Sequence, residues 1–203
     1  MEHFNKPCLA IFDFDKTITI KDSFNDFFII HFGIVRFLLF MFKNSPFIIL
    51  YVFGFLENYV IKERMLSHYC KNMSYNEFLE KCNYYAENHL PRLINKKCID
   101  KIMWHKKSNH ELAILSASPS GWIEPWAKRN GFSYVICTKM EIVNNKITGK
   151  IGKENNCYGK NKLLFLENTF KDITSYYTYA YGDSVSDKYF LDLADESFYR
   201  KFN

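Results

Sequence analysis

Apolar positions along this chain change period several times, and each change predicts an element. Cys8 to Asp13 (CLAIFD) is a short apolar run ending in an acid, the pattern of a strand buried on both faces of a parallel sheet. From residue 22 to about 56 the character changes to long apolar stretches dominated by Phe, Ile and Leu. Ser74 and Glu77 have the spacing of a capping box, and Phe78, Cys82 and Tyr85 follow at helical intervals. Pro91 suits the first turn of a further helix with the stripe Ile94, Cys98 and Ile102, and Lys106 and Lys107 suit its last turn.

Glu111 to Ser116 (ELAILS) reads as a second buried strand. A helix from about Ser120 to Asn130 follows, with Gly131 as its left-handed stop. Tyr134 to Thr138 is a third strand, and Lys139 to Ile151 reads as a hairpin turning at Asn144-Asn145. A helix from about Lys160 to Phe170 and a strand from Tyr176 to Tyr181 complete the series before Gly182. Strands alternating with helices predict an α/β fold with a Rossmann-like parallel sheet, interrupted after its first strand by a helical block. No internal repeat or low-complexity segment is present in the sequence.

Composition narrows the class. The 203 residues are 48% apolar and 18% aromatic, with 20 Phe and 14 Tyr, which excludes a disordered or collagen-like chain. A formal charge of +5 with scattered lysines suits an anionic substrate or membrane surface and argues against a dedicated nucleic-acid binder. The six cysteines form no CxxC pair, which excludes a zinc ribbon or thioredoxin motif. The N-terminal MEHFNKPC lacks a basic segment followed by a long apolar run, so no secretory signal is expected, and the cysteines are read as reduced thiols of a cytoplasmic protein.

Four places carry candidate chemistry. Asp13-Phe14-Asp15-Lys16-Thr17 follows the first strand, where ligands bind in open parallel sheets. Of two carboxylates so spaced, one can attack as a nucleophile while the other holds a proton for the leaving group; a solvated acidic turn is the plain alternative. Ser116 ends the second strand, where a hydroxyl and the N–H groups opening the next helix make a phosphate seat; Ser118 is a second candidate for that seat, though it reads more readily as a helix cap. Lys162 could neutralise a phosphate, or be one more surface lysine. Asp183 and Asp187, four apart in GDSVSD after the last strand, are oxygen ligands suited to Mg²⁺, or acids decorating a helix N-terminus.

Taken in order, Asp13/Asp15/Thr17, Ser116, Lys162 and Asp183/Asp187 resemble the motif series of the haloacid dehalogenase superfamily. The stretches LSASPSGWIEPWAKRNGF, TGKIGKENNCYGKNK and YGDSVSDKYFLDLAD are similar to its phosphoserine-phosphatase-like branch, subfamily IB. That resemblance implies a catalytic core over residues 1–20 and 91–203 and a helical C1-type cap over 21–90. It also implies a phosphomonoester hydrolase working through an aspartyl-phosphate, with Asp13 as nucleophile and Asp15 as general acid and base. Mg²⁺ would be held by Asp13, the Asp15 backbone carbonyl and Asp183, with Asp187 positioning a ligand or water. Ser116, Ala117, Lys162 and Thr17 would hold phosphoryl oxygens. Lys162 fits the branch's C-x-G-x-x-K pattern through Cys157 and Gly159, with Lys160 as the runner-up. An acid at Asp15 favours a phosphatase or phosphotransferase over a dehalogenase. Lys16 completes a DKT triplet similar to that of P-type ion pumps, which this chain is far too short to be.

Substrate is less defined. The position nine after the nucleophile, where phosphoserine phosphatases carry a Glu that reads the substrate amine, is Asp22, and Arg64 is the candidate for reading a carboxylate. The run from Phe27 to Leu56 is interrupted only by His31, Arg36, Lys43 and the turn Asn44-Ser45-Pro46, and its charge-free pieces are short for a spanning helix. It predicts two helices joined at that turn, either buried as a hairpin in the cap or in peripheral contact with a membrane; a true span is the third reading. The cap also resembles that of phosphatidylglycerophosphatase C. A small-molecule phosphate, including phosphoserine, and a lipid-linked phosphate therefore stand as substrate classes, beside a phosphotransferase and a non-enzymatic membrane-associated binding module.

Overall fold

A computed structural model describes residues 6–202; the expectation about a leader rests largely on residues outside that range. Its central sheet is five-stranded and parallel throughout, in the order β3-β2-β1-β6-β7. The strands are β1 (Cys8–Phe12), β2 (Glu111–Pro119), β3 (Tyr134–Thr138), β6 (Tyr177–Gly182) and β7 (Glu196–Tyr199). Between β3 and β6 runs the small antiparallel hairpin β4 (Ile142–Val143) and β5 (Lys146–Ile147), with Asn144 and Asn145 both at positive φ, as the Asn-Asn pair predicts.

The period of two along the strands builds two apolar layers. Ala10, Phe12, Leu112, Ile114 and Tyr181 face one way, Leu9, Ile11, Ala113, Leu115 and Ala180 the other. The second face is covered by α8 (Lys160–Thr169) and α9 (Lys188–Leu191) through Leu166, Phe190 and Leu191. The first is covered by α6 (Lys96–Lys107) and α7 (Ser120–Arg129), and its core continues without a break into the helical block.

That block contains α1 (Ser23–Phe32), α2 (Ile34–Lys43), α3 (Ser45–Val52), α4 (Asn58–Cys70) and α5 (Tyr75–Asn88). Its entry and exit are clamped side by side: Ile20 N–H donates to Leu93 O, Asn95 N–H donates to Ile18 O, and Thr19 bridges Ile94. Phe27 stacks on Trp122 of α7 at 4.6 Å, and the Trp122 indole donates to Ser23 Oγ. Helix α5 lies so close on α7 that a Cβ at Gly121 would sit 2.6 Å from Cys82 Sγ. Gly121→Val is therefore expected to destabilise the protein by about 1–3 kcal/mol, the usual cost of overpacking, read as a lowered denaturation midpoint. An unchanged midpoint would show that the two helices slide freely.

The structure departs from the sequence reading in four places. Pro91 does not open the sixth helix: Leu90–Leu93 is a single tight turn, Ile94 is extended, and Asn95 caps the helix through Lys97 N–H. Cys98 and Ile102 still face the core, joined by His105. Ser118 is not a helix cap, because β2 runs on to Pro119. The apolar block breaks at Gly33 as well as at Asn44, giving three helices where two were expected. Strand β7 is an addition at the sheet edge.

Candidate active site

The carboxyl ends of β1, β2 and β6 converge on one cavity of 210 Å³. Asp13 follows β1 directly, and its N–H donates to Tyr181 O at 2.8 Å, so β6 fixes its backbone. The chain then kinks: Asp15 is extended and Lys16 takes φ +63°, a left-handed conformation uncommon outside glycine. The buried Thr19 hydroxyl stabilises this kink by accepting from Lys16 N–H at 3.1 Å and donating to Lys21 O at 2.6 Å. The kink aims Asp15 into the cavity, where Oδ1 accepts from Ser23 N–H at 2.6 Å and Oδ2 from the Ser118 hydroxyl at 2.5 Å.

On β2 the ladder to β3 jumps from Ser116–Cys137 to Pro119–Thr138, so Ala117 and Ser118 bulge out of the sheet and line the cavity. Ser116 lies underneath, fully buried, and its Oγ accepts from Ser118 N–H. Thr138 and Lys62 both donate to Ala117 O. Thr17 is buried beside Asp13's loop, and its hydroxyl has no hydrogen-bond partner among the described residues.

Lys162, on the first turn of α8, is 1% exposed and donates to Asp13 Oδ1 at 2.5 Å and Asp187 Oδ1 at 2.6 Å. Burial works against its ammonium, but those two carboxylates outweigh burial and hold the lysine charged. For Asp187, too, burial is opposed by Lys162 and by hydrogen bonds from Ser184, which keep its carboxyl below the ordinary range. Burial pushes Asp13 up, with Lys162 pulling the other way. Asp183 is raised by burial and then by Asp187. Oxygens of Asp13, Asp183 and Asp187 all lie within 4.8 Å of one another. One ammonium against three carboxylates leaves two negative charges unbalanced when all are ionised. The donor set is all oxygen. Charge and donors together fit a hard divalent cation. Lys160, by contrast, makes no contact with these carboxylates.

Of the remaining sequence candidates, Asp22 lines the same cavity and caps α1 through Asn25 N–H. Burial and the Asp15 charge raise its carboxyl to about 6. Arg64 is elsewhere: Nε donates to Asn44 Oδ1 at 2.7 Å and the guanidinium stacks over Phe47 at 3.5 Å. Sequence reasoning missed Lys62, two residues earlier on α4. Lys62 is a buried cation lining the cavity, pushed down to about 8 by burial against the pull of Asp22 and Asp15. Tyr51, Asn58 and Tyr158 also line the cavity. A larger hollow of 880 Å³ along β3 contains none of the carboxylates around Lys162.

Comparison with known proteins agrees with this geometry. The family model for haloacid dehalogenase-like hydrolases matches residues 10–192. Protein CicA of Caulobacter vibrioides is 30% identical over 98% of this chain and 88% of its own length. A probable phosphatase of Mycobacterium tuberculosis is 24% identical over 88% of this chain, which spans 63% of that relative. Among solved structures, a protein of unknown function from Bordetella pertussis superposes with a TM-score of 0.78 at 21% identity, over 93% of this chain and 87% of that one. A substrate-bound phosphoserine phosphatase does so with a TM-score of 0.66 at 17% identity, over 96% and 86%. Family model and fold thus define the class as a hydrolase built on a parallel α/β sheet. The chain belongs to the haloacid dehalogenase-like hydrolase family.

Proposed function

We propose that this protein hydrolyses phosphomonoesters in a Mg²⁺-dependent reaction through an aspartyl-phosphate formed on Asp13, with residues 21–90 as a cap over the site. The observation supporting this most strongly is the cluster of Asp13, Lys162, Asp183 and Asp187 beside a separately held Asp15. The Asp13 oxygen not held by Lys162 attacks the phosphorus, and the bond to the leaving oxygen breaks as that oxygen takes a proton from Asp15. Asp15 then takes a proton from water as the water oxygen attacks the same phosphorus. The bond to Asp13 breaks and inorganic phosphate leaves. The Ser118 hydroxyl can donate to ionised Asp15 and accept from its protonated form, so the contact of 2.5 Å serves both states. Lys162, with Ser116, Ala117 and Thr17 around the phosphoryl group, neutralises and orients its oxygens. Asp13, Asp183 and the Asp15 carbonyl would hold Mg²⁺, with Asp187 positioning a ligand, and the ion would supply further charge neutralisation, the main demand of phosphoryl transfer.

The test is release of inorganic phosphate from an aryl phosphate with Mg²⁺, its loss in excess chelator, and mapping of a trapped phosphoryl group to the Asp13 peptide. No release, or a phosphoryl group on another residue, would overturn the reading.

The substrate is a phosphorylated small molecule or lipid-linked phosphate. Asp22 lines the cavity, whereas Arg64 is engaged by Asn44 and is not part of the lining, which weighs against the two together reading the amine and carboxylate of phosphoserine. Lys62 is the cation on hand for a second anionic group. Lys62→Met is expected to raise KM about tenfold or more while changing kcat less, the usual size for a charge-assisted hydrogen bond; Lys62→Arg should recover part of the loss. A KM unchanged across a phosphomonoester panel would remove Lys62 from substrate binding.

A further inference from the structure

Helices α2 and α3 leave an apolar ledge in water. Only Phe37 and Phe40 of α2 are buried, and no residue of α3 is. Val35, Leu38, Leu39 and Phe42, spaced as one helical stripe, are all exposed, Phe42 at 82%. Ile49, Leu50, Val52, Phe53 and Phe55 extend the surface, the last three each above 70% exposed. This exceeds what a soluble monomer ordinarily shows to water. The ledge is firmly held: Asn44 at the α2–α3 turn donates to Phe40 O and accepts from Arg64, whose guanidinium also covers Phe47. Among the described residues no single helix is long and apolar enough to cross a membrane. The bent pair α1 and α2 is long and apolar enough only when taken together, and α1 buries Phe24, Phe27 and Phe28 in the core.

We propose that this ledge docks on the surface of an anionic lipid bilayer, with the Asp13 cavity opening beside the docked face. Charge selects this occupant. From Phe27 to Leu56 there is no Asp or Glu, and the cations are Arg36 and Lys43. Both are exposed and lie seven apart on α2, roughly a quarter-turn from the apolar stripe, where their stems can lie along acyl chains and their heads reach lipid phosphates. A two-fold contact with a second copy would instead bring the same unpaired cations of both ledges together. Continuity with the site supports the orientation. Tyr51, on α3, lines the Asp13 cavity, and a groove of 680 Å³ lined by Tyr51, Val52, Leu56 and Tyr158 adjoins it. A phosphoester headgroup at Asp13 would then have its apolar part toward the ledge, a consequence that rests on the phosphatase reading above. The docking itself does not.

The test is flotation of the full chain with phosphatidylcholine vesicles with and without phosphatidylglycerol, alongside sedimentation velocity and hydrolysis of a soluble aryl phosphate. Wild type is expected to float with the anionic vesicles. Phe42→Asp with Phe55→Asp should lower partitioning by about tenfold or more, the scale set by losing two buried aromatic side chains. Arg36→Glu with Lys43→Glu should remove the preference for phosphatidylglycerol. Aryl phosphate turnover should stay at the wild-type level in both, which shows folding and separates failure of docking from failure of the catalytic reading. Wild type that stays at the bottom of the gradient, variants that float equally well, or a dimer dissolved by Phe42→Asp without flotation of the wild type would each overturn the proposal.

Discussion

With Asp13 as the proposed nucleophile, Asp13→Asn is expected to give a folded protein with no detectable phosphate release, a loss on the order of 10⁴-fold or more in kcat, the usual scale for removing a covalent nucleophile. The amide has nearly the shape of the carboxylate, so its carbonyl can still accept from Lys162 and its backbone N–H still donates to Tyr181 O. What it loses is a charged oxygen to attack phosphorus. The fold should hold, because Lys162 keeps its ion pair with Asp187 and one fewer carboxylate in the cluster offsets the lost attraction to Asp13. The measurements are steady-state phosphate release, phosphoryl trapping and a denaturation curve on one preparation. Turnover within tenfold of wild type in a folded Asp13→Asn protein would remove Asp13 as nucleophile. The same loss accompanied by unfolding would make Asp13 a structural residue.

Much of this was legible in the sequence because the sheet is buried on both faces. A strand so placed must be apolar at consecutive positions, and CLAIFD and ELAILS have that signature. Strand β7 does not: it is a short edge strand with no fully buried residue, so its pattern matches a loop. The start of α6 was misplaced because Pro91 is equally at home in a tight turn, and the pairing of Thr19 with Ile94 draws the chain out straight before Asn95 caps the helix. Long-range contacts explain the remaining gaps. Nothing local marks Lys62 as buried; it is buried because the fold brings it into the cavity wall, where its ammonium donates to Ala117 O. Nothing local marks Arg64 as a structural residue either, since the Asn44 it holds is twenty positions away. Ser118 reads as a cap more readily than as a site residue because serine commonly caps helices, whereas the bulge that turns it toward Asp15 depends on how β2 pairs with β3.

Lys162→Met should be far more damaging than Lys160→Met, in stability as well as turnover. The two lysines are two positions apart in sequence, on nearly opposite sides of the helix, and lie in opposite surroundings. Lys162 is 1% exposed between Asp13 and Asp187, whereas Lys160 is exposed. Methionine has a similar length, so it keeps most of the packing and isolates the charge. Without the ammonium, Asp13 and Asp187 face each other and Asp183 with no buried cation between them. Removing one partner of a buried ion pair costs about 3–5 kcal/mol, while an exposed lysine contributes about 0–1 kcal/mol. Part of that cost should be recovered by Mg²⁺, which would bind the more negative cluster and raise the denaturation midpoint of Lys162→Met more than that of wild type. Turnover should stay low even with Mg²⁺ restored, because the cation proposed to align the phosphoryl oxygens is gone. Denaturation curves of the three proteins with Mg²⁺ and with chelator, read beside phosphate release, separate these effects. Equal midpoints and equal turnover for the two variants would refute the assignment, and a larger loss in Lys160→Met would transfer the role to that residue.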